Sequence, residues 1–276
     1  MSEGFVGAGI GYRRVHRAAL LGPEPGPDLL EIMPEHFYAH PEELDALAER
    51  YPLVFHCVGL SIGTAVDDLH GDDVTRAQLA RLRPLIERVK PLFLSDHLAF
   101  TRAPNGIDLG HLCPLPCTEE SYALVAERLH VWQDELEVPI ALENIAHPFI
   151  WPGDTMSEAA FFQRLVDETG CGLHLDVTNL LFDARNFGRE PEALLNDYPL
   201  ESAWAVHLAG GVHSARDRFW TDTHDQPIEE EVFSLLRVLR GVAPLRAAIV
   251  ERDRRLPPLA DLLAEARRAA ALLREP

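Results

Sequence analysis

Residues 140–144 read Ile-Ala-Leu-Glu-Asn, a short apolar run that ends in an acidic side chain and an amide. Runs of this kind recur along the chain and predict eight strands, near Phe5–Ile10, Leu29–Met33, Leu53–Val58, Leu92–Ser95, Ile140–Leu142, Gly172–Val177, Ala203–Leu208 and Ala247–Val250. Strands that alternate with helices are typical of a parallel sheet, and eight such units favour a closed (β/α)8 barrel, a TIM barrel, over an open doubly wound sheet.

Amphipathic patterns between these runs predict the helices. They cover Tyr12–Leu21, Pro41–Arg50, Arg76–Val89, Glu119–Glu137, Ser157–Thr169, Pro191–Asp197, Glu230–Arg240 and Pro258–Leu273. Thr118 and Ser157 precede acidic residues as N-caps do, and Gly170 is a typical helix stop. The three glycines between residues 7 and 11 lack the dinucleotide-binding spacing. Without a long linker, we expect one domain over residues 1–276.

Composition excludes several classes of protein. Lys plus Arg total 25 and Asp plus Glu total 44 in 276 residues, so the net charge is −19, which disfavours binding to nucleic acid or to an anionic membrane. Met1–Gly11 does not resemble a signal peptide, and no apolar stretch is long enough to span a bilayer. We therefore expect a cytoplasmic protein with four free thiols. Cys113 and Cys117 lack the second cysteine pair of a structural zinc site.

The predicted strands end in side chains of the kind that bind metals. Strand ends supply His56, His97, Glu143, Asp176, His207 and Glu251, and the loop after His207 adds His213, Asp222 and His224. In a parallel barrel all these ends lie on the C-terminal face, where barrel active sites are found. Clustering so many buried ionisable groups without a lysine requires cations. Mixed imidazole and carboxylate ligands suit iron, manganese or zinc, and nine candidates indicate two or three ions that share a bridging carboxylate.

Other polar residues have weaker interpretations. We expect Asp96, Asn144 and Asp225 to orient histidine ligands or to cap local structure. His174 lies two residues before Asp176, so it either lines the barrel or is an interior histidine with hydrogen-bond partners. Glu31, Glu35 and Tyr12 either contact substrate or face solvent. Four further histidines fall in helical or loop patterns and are expected to be exposed: His16, His40, His70 and His130.

The ordered motifs resemble the multinuclear non-haem iron-dependent oxidative enzymes, a TIM-barrel family. The resemblance extends from Gly7–Tyr12 to Glu251–Asp253. The motifs between these ends are Leu30–Glu35, His56–Ser61, Ser95–Leu98, Pro114–Glu120, Leu142–Asn144, Leu175–Asn179, His207–Gly210 and Asp222–Asp225.

The resemblance implies a centre of two or three iron ions, with mixed-valent Fe2+/Fe3+ and O2 as cosubstrate. Its ligands would be His56, His97, Glu143, Asp176, His207, Asp222, His224 and Glu251. Glu143 would bridge ions, and Glu143, Asp176 and His207 would be the catalytic residues. The substrate would be a ribosomally made precursor peptide, modified most often at a cysteine, with a separate partner protein that binds the peptide leader.

Two positions depart from the family pattern. Thr178 stands where the family commonly has an asparagine that can bind metal, and threonine is a poor ligand, so the number of ions stays open. His111 stands where the family often has an aspartate, and it would alter the pocket or add a ligand.

Three other functions compete with this interpretation. Barrel endonucleases and sugar isomerases also gather histidines and carboxylates around divalent ions. The net charge opposes DNA binding, and isomerases usually place near the metals a lysine that no strand end here supplies, because the only lysine is Lys90. A non-catalytic metal-storing or peptide-binding scaffold would instead have a closed ligand shell.

Overall fold

The computed structural model describes residues 7–66, 73–104, 106–216 and 218–275. Eight parallel strands form a closed barrel in which each strand pairs with its neighbours in sequence, and the last pairs with the first. They are β1 (Gly7–Gly11), β2 (Leu29–Ile32), β3 (Leu53–His56), β4 (Leu94–His97), β5 (Ile140–Glu143), β6 (Gly172–Asp176), β7 (Ala203–Leu208) and β8 (Ala247–Val250). The prediction of a TIM barrel is therefore confirmed.

Helices follow the strands and cover the barrel. They are α1 (Arg17–Leu20), α2 (Asp45–Ala48), α3 (Asp73–Val89), α4 (Glu119–Leu136), α5 (Glu158–Thr169), α6 (Val177–Phe187), α7 (Pro191–Leu195), α8 (Glu230–Arg240) and α9 (Leu259–Arg274). The predicted caps are confirmed: the Thr118 and Ser157 side chains accept hydrogen bonds from backbone N–H groups in the first turns of α4 and α5. Gly170 ends α5 with φ 67°. No helix in the described part of the chain has both the length and the apolar composition for crossing a bilayer.

Several elements differ from the sequence prediction. Helix α6 was not predicted, because the motif at its start was interpreted only as metal ligands. Two antiparallel hairpins also follow barrel strands: Ala99–Arg102 pairs with Asp108–Pro114, and Val212–Ser214 pairs with Phe219–Thr221. The predicted helices at residues 12–21 and 41–50 are each a 3-10 turn followed by one α-helical turn. Residues 5 and 6 of the first predicted strand lie outside the described residues.

Strand alternation produces two apolar layers. Outward side chains of the strands pack against the helices in the larger core. Inward side chains form a small cluster that fills the lower barrel: Leu29, Val54, Phe93, Ala141, Ala205, Ala247 and Ile249. Gly9 of β1 lies so close to β2 that a Cβ atom there would be 2.5 Å from the Leu29 carbonyl oxygen. This close strand contact, rather than phosphate binding, is the role that the structure gives Gly9. The four cysteines form no disulfide.

Candidate metal centre

The barrel interior becomes polar toward the carboxyl ends of the strands. Because side chains alternate along a strand, the residue two positions beyond an inward apolar residue also faces inward. Val54 of the apolar layer is thus followed by His56, and Ala141 is followed by Glu143. The same rule places the other buried polar side chains of this layer, which are Glu31, Ser95, His97, His174, Asp176, His207 and Glu251.

Glu143 lies within this polar layer, and its two carboxylate oxygens face different histidines. Oε1 lies 2.8 Å from Nδ1 of His207. Oε2 lies 3.4 Å from Nε2 of His56 and 3.6 Å from Nε2 of His97. Each oxygen carries lone pairs. The carboxylate can therefore serve two metal ions, one on the His56 and His97 side and one on the His207 side.

The ring nitrogens of His56 and His97 that face away from Glu143 have their own partners. Nδ1 of His56 lies 2.9 Å from the Ser95 hydroxyl oxygen. Nδ1 of His97 lies 3.4 Å from Oδ1 of Asp96, whose Oδ2 accepts the Leu60 backbone N–H. Such contacts fix the ring orientation and leave Nε2 directed at the centre. This orienting role is predictable from the sequence for Asp96, whereas the same role of Ser95 was not predicted.

Glu31 is the most important residue that the sequence analysis did not place. It was expected to contact substrate or solvent, but it is 2% exposed, and its Oε2 lies 2.7 Å from Nε2 of His207. This contact directs the other ring nitrogen, Nδ1, toward Glu143 and toward Oε2 of Glu251, which is 3.4 Å away. A sequence signal was available, because Glu31 follows the inward residue Leu29 by two positions.

A second group of possible ligands consists of Asp176, Asp222 and His224, whose ligand atoms lie within 4.8 Å of one another. Oδ1 of Asp176 caps α6 by accepting the backbone N–H groups of Thr178 and Asn179, at 2.7 and 2.9 Å. This cap leaves Oδ2 of Asp176 for the centre. Asp222 directly follows the second hairpin, and its carboxylate contacts Nε2 of His224.

A third group lies at the mouth of the barrel and shares His224 with the second. It consists of His224, Glu251 and Asp253. Nδ1 of His224 lies 3.0 Å from Oδ2 of Asp253 and 3.4 Å from Oε2 of Glu251. The Arg13 guanidinium contacts Asp253 and lies 3.5 Å from Oε1 of Glu251. The eight predicted ligands therefore all lie around Glu143 or in the second and third groups. Those around Glu143 are His56, His97, His207 and Glu143 itself, and the others are Asp176, Asp222, His224 and Glu251.

Burial and mutual charge shift the pKa values of the centre in opposite directions. Burial favours the neutral forms and holds the pKa of His56 well below its usual value, while it raises the pKa of Asp176, which also faces Asp222 and Glu143. For His207, the carboxylates of Glu143, Glu31 and Glu251 outweigh burial and raise the pKa. The direction of each pKa shift in the centre therefore depends on whether burial or the neighbouring carboxylates dominate.

Unpaired buried atoms test whether a metal fits this centre. Among the described residues, Oε2 of Glu143, Oδ2 of Asp176, Oδ1 of Asp222 and Nε2 of His174 are buried without a hydrogen-bond partner. A buried unsatisfied polar atom costs about 1–3 kcal/mol. Divalent cations would satisfy these atoms, and the mixture of imidazole and carboxylate donors suits iron, manganese or zinc. The residues therefore fit metal ions.

The structure defines the partners of three further polar residues near the centre. The Thr178 hydroxyl donates to the Ala209 carbonyl oxygen and accepts the Ala209 N–H. Its hydrogen-bonding capacity is therefore used by the backbone, in keeping with threonine being a poor metal ligand. The Asn144 amide bonds the backbone of Asp176, and it does not orient a histidine. Asp225 accepts hydrogen bonds from Thr223 and from its neighbour in the chain, Gln226.

The histidines outside the centre divide into exposed and buried ones. His213 is exposed on the second hairpin, where it packs against Trp220 and belongs to none of the groups of possible metal ligands among the described residues. His40 and His130 are exposed, as predicted. The prediction for His16 was wrong: it is 7% exposed, because the 3-10 turn that contains it directs Val15 outward instead. His70 lies outside the described residues.

A cavity of about 470 Å3 opens above the centre. Its floor includes His56, His97 and Glu251, and the first hairpin contributes Arg102 and His111 to its wall. His111 itself is exposed. It therefore lies on the pocket wall, and a substrate that reaches the centre through this cavity would pass the hairpin.

Comparison with known proteins identifies the family. Residues 7–274 match the family described as RiPP precursor modification enzyme MbnB/TglH/ChrH. The chain belongs to this family. RiPPs are ribosomally synthesised and post-translationally modified peptides. Among the relatives of this chain, a UPF0276 protein of Caulobacter vibrioides is 38% identical over 95% of this chain and 92% of its own length. Another UPF0276 protein, of Chromobacterium violaceum, is 36% identical over 96% and 94%.

Solved structures similar to this member of the MbnB/TglH/ChrH family agree on the fold. The 3-keto-D-glucoside 4-epimerase of E. coli superimposes with a TM-score of 0.58 at 17% identity, over 98% of this chain and 99% of its own. Endonuclease IV of Thermus thermophilus has a TM-score of 0.57 at 18% identity, over the same shares. Identity this low supports the TIM barrel alone.

Proposed function

We propose that this protein is an O2-dependent oxidase with two or three iron ions that modifies a ribosomally made precursor peptide at a cysteine. Membership in a family of precursor-modifying enzymes supports the peptide substrate. The donor set supports iron, since imidazoles and carboxylates together suit this metal. The eight residues predicted from sequence would hold the ions, and Glu143, Asp176 and His207 would be the catalytic residues.

The observation that carries this proposal is the position of Glu143. Its two oxygens face separate sets of imidazole nitrogens, His207 on one side and His56 with His97 on the other. A single ion on the His56 and His97 side would satisfy Oε2, which has no hydrogen-bond partner, but would leave the imidazole and carboxylate pair of His207 and Oε1 unused as ligands. A carboxylate shared by two ions satisfies both sides, and two adjacent irons are what a mixed-valent pair requires.

The protein's own residues would orient the histidine ligands, shield the centre from water and admit the substrate. Ser95, Asp96 and Glu31 hold the ring nitrogens of His56, His97 and His207 that face away from Glu143. The apolar layer below the centre excludes water from that side. Bound iron would supply the redox chemistry by which O2 oxidises a thiol. A peptide cysteine would reach it through the cavity bounded by the first hairpin.

We also propose that a separate protein binds the leader of the precursor peptide. The described part of the chain consists of the barrel strands, their helices and two short hairpins. The peptide segment to be modified would enter the cavity, while its leader would stay on the partner. Measuring oxidation of the peptide with and without the partner tests whether leader binding and oxidation reside on separate proteins.

Iron content and spectroscopy test the proposal directly. Protein produced anaerobically with 57Fe should contain two or three irons per chain, and Mössbauer spectra should show an antiferromagnetically coupled mixed-valent fraction. Glu143→Gln should abolish the coupled fraction. Glu158→Gln provides a matched control, because the Glu158 side chain is only 13% exposed but lies outside the centre, beside His147 and Tyr198.

Two outcomes would reject the iron oxidase. One is stoichiometric zinc with no iron uptake, and the other is metal content that Glu143→Ala and His207→Ala leave unchanged. Zinc bound by the same residues would favour the alternative, a divalent-metal hydrolase or sugar isomerase.

A further inference from the structure

His174 is a fully buried histidine inside the barrel that the predicted ligand set does not use. It lies on β6 two residues before Asp176, on the same inward face, and none of its surface is exposed. The ring centroid is 4.0 Å from that of His207 and 5.8 Å from that of His56. His174 is therefore a buried imidazole within the centre, beside the predicted ligands His207 and His56.

Ser95 restricts the protonation of His174. Its hydroxyl oxygen lies 3.0 Å from Nδ1 of His174, 2.9 Å from Nδ1 of His56 and 3.4 Å from the Phe55 carbonyl oxygen. A serine hydroxyl has one proton to donate. It can serve only one of these three acceptors, so at least one imidazole must donate its own Nδ1–H to the oxygen. When the hydroxyl proton goes to Phe55, both imidazoles donate and both keep a lone pair on Nε2.

The surroundings of Nε2 favour this arrangement for His174. No hydrogen-bond partner for this atom exists among the described residues, so an N–H there would be a buried donor without an acceptor. A ligand atom of His174 lies within 4.8 Å of ligand atoms of both Glu143 and His207. Nε2 of His207 contacts the Glu31 carboxylate. The nitrogen of His207 that remains for a metal is therefore Nδ1, beside Oε1 of Glu143.

We propose that His174 is a ligand of the metal ion at the Glu143 and His207 position. This ion would then be held by two imidazoles and a shared carboxylate, and Ser95 would orient His174 as it orients His56. The inference rests on the metal centre of the proposed function, but it does not depend on iron, O2 or the peptide.

Cobalt(II) titration of the metal-free protein tests the inference without any enzymatic assay. Affinity is measured by competition with a chelator, and the ligand field is read from the visible absorption of the bound cobalt. His174→Leu should weaken one cobalt site at least tenfold and shift its bands. Ser95→Ala, which removes an orienting contact, should weaken binding about 10–100-fold. His16→Leu is the matched control, because His16 is also buried with an unpartnered Nε2 but lies outside the centre.

A second measurement detects the bond between the metal and His174 directly in the wild-type protein. In protein with 15N-labelled histidine, binding of 113Cd should produce a one-bond coupling to Nε2 of His174, assigned with His174→Gln. Absence of this coupling, or a His174→Leu variant with wild-type cobalt affinity and spectrum, would overturn the inference while the metal centre stands. Failure of the wild type to bind cobalt and cadmium would overturn the centre itself and the inference with it.

Discussion

Replacing Glu31 by glutamine tests whether the carboxylate behind His207 tunes the metal centre. Glu31 is 2% exposed and lies 2.7 Å from Nε2 of His207. Loss of a group that orients a histidine ligand typically lowers metal affinity by about 10–100-fold, or about 1.4–2.7 kcal/mol. The glutamine carbonyl can still accept the same N–H, so only the charge is lost. We therefore expect a decrease of about tenfold, at the lower end of this range.

The effect should depend on pH in a defined direction. Glu143, Glu31 and Glu251 together outweigh burial and raise the pKa of His207, so a proton competes with the metal for Nδ1. Glu31→Gln removes part of this negative charge and weakens the competing proton. The variant's loss of affinity should thus be smaller at pH 6 than at pH 8.

Cobalt(II) competition titrations at both pH values provide the measurement. Glu35→Gln is the control, because Glu35 lies on the segment after the same strand and accepts the Val58 backbone N–H without touching a histidine of the centre. If Glu31→Gln binds cobalt at pH 8 within threefold of the wild type, the carboxylate does not tune His207 and the reasoning fails.

Three further predictions concern stability and are measured by urea unfolding. Arg128 is 1% exposed and donates to three backbone carbonyl oxygens of the loop after β3, so Arg128→Met should lower the unfolding free energy by about 3 kcal/mol or more. Ser157→Ala removes the N-cap of α5 and should cost about 1 kcal/mol, and no loss would contradict the assigned cap. Burial lowers the pKa of His147, but Glu158 and Asp183 outweigh it and raise the value to about 9. Its stabilising contribution should be complete below the unfolded pKa of about 6.5 and lost as pH rises through about 9, so His147→Gln should destabilise more at pH 6 than at pH 9.5.

Much of the fold could be predicted because it depends on local patterns. Apolar runs and caps such as Thr118 and Ser157 are short-range features, and the strands and helices lie close to where these patterns indicate. Helix α6 was missed because its start coincides with the Asp176 motif. That carboxylate has two functions at once, since one oxygen caps the helix and the other faces the centre.

The candidate site was predictable for residues at strand ends and less so for their partners. Strand ends in a parallel barrel converge, so His56, Glu143 and His207 could be grouped without a structure. Their orienting groups depend on which inward side chains meet across the barrel. The contact between Glu31 and His207 joins residues 176 positions apart.

The sequence by itself determined the barrel, its polar C-terminal face and the chemical type of the ligands, because strand alternation and residue identity are properties of single segments. Only the tertiary structure decided which nitrogen of each histidine faces the centre, that the Thr178 hydroxyl is occupied by the Ala209 backbone, and that Ser95 lies between two imidazoles. These features arise from contacts between strands distant in the chain. Their geometry follows from barrel closure and packing, which no single segment encodes.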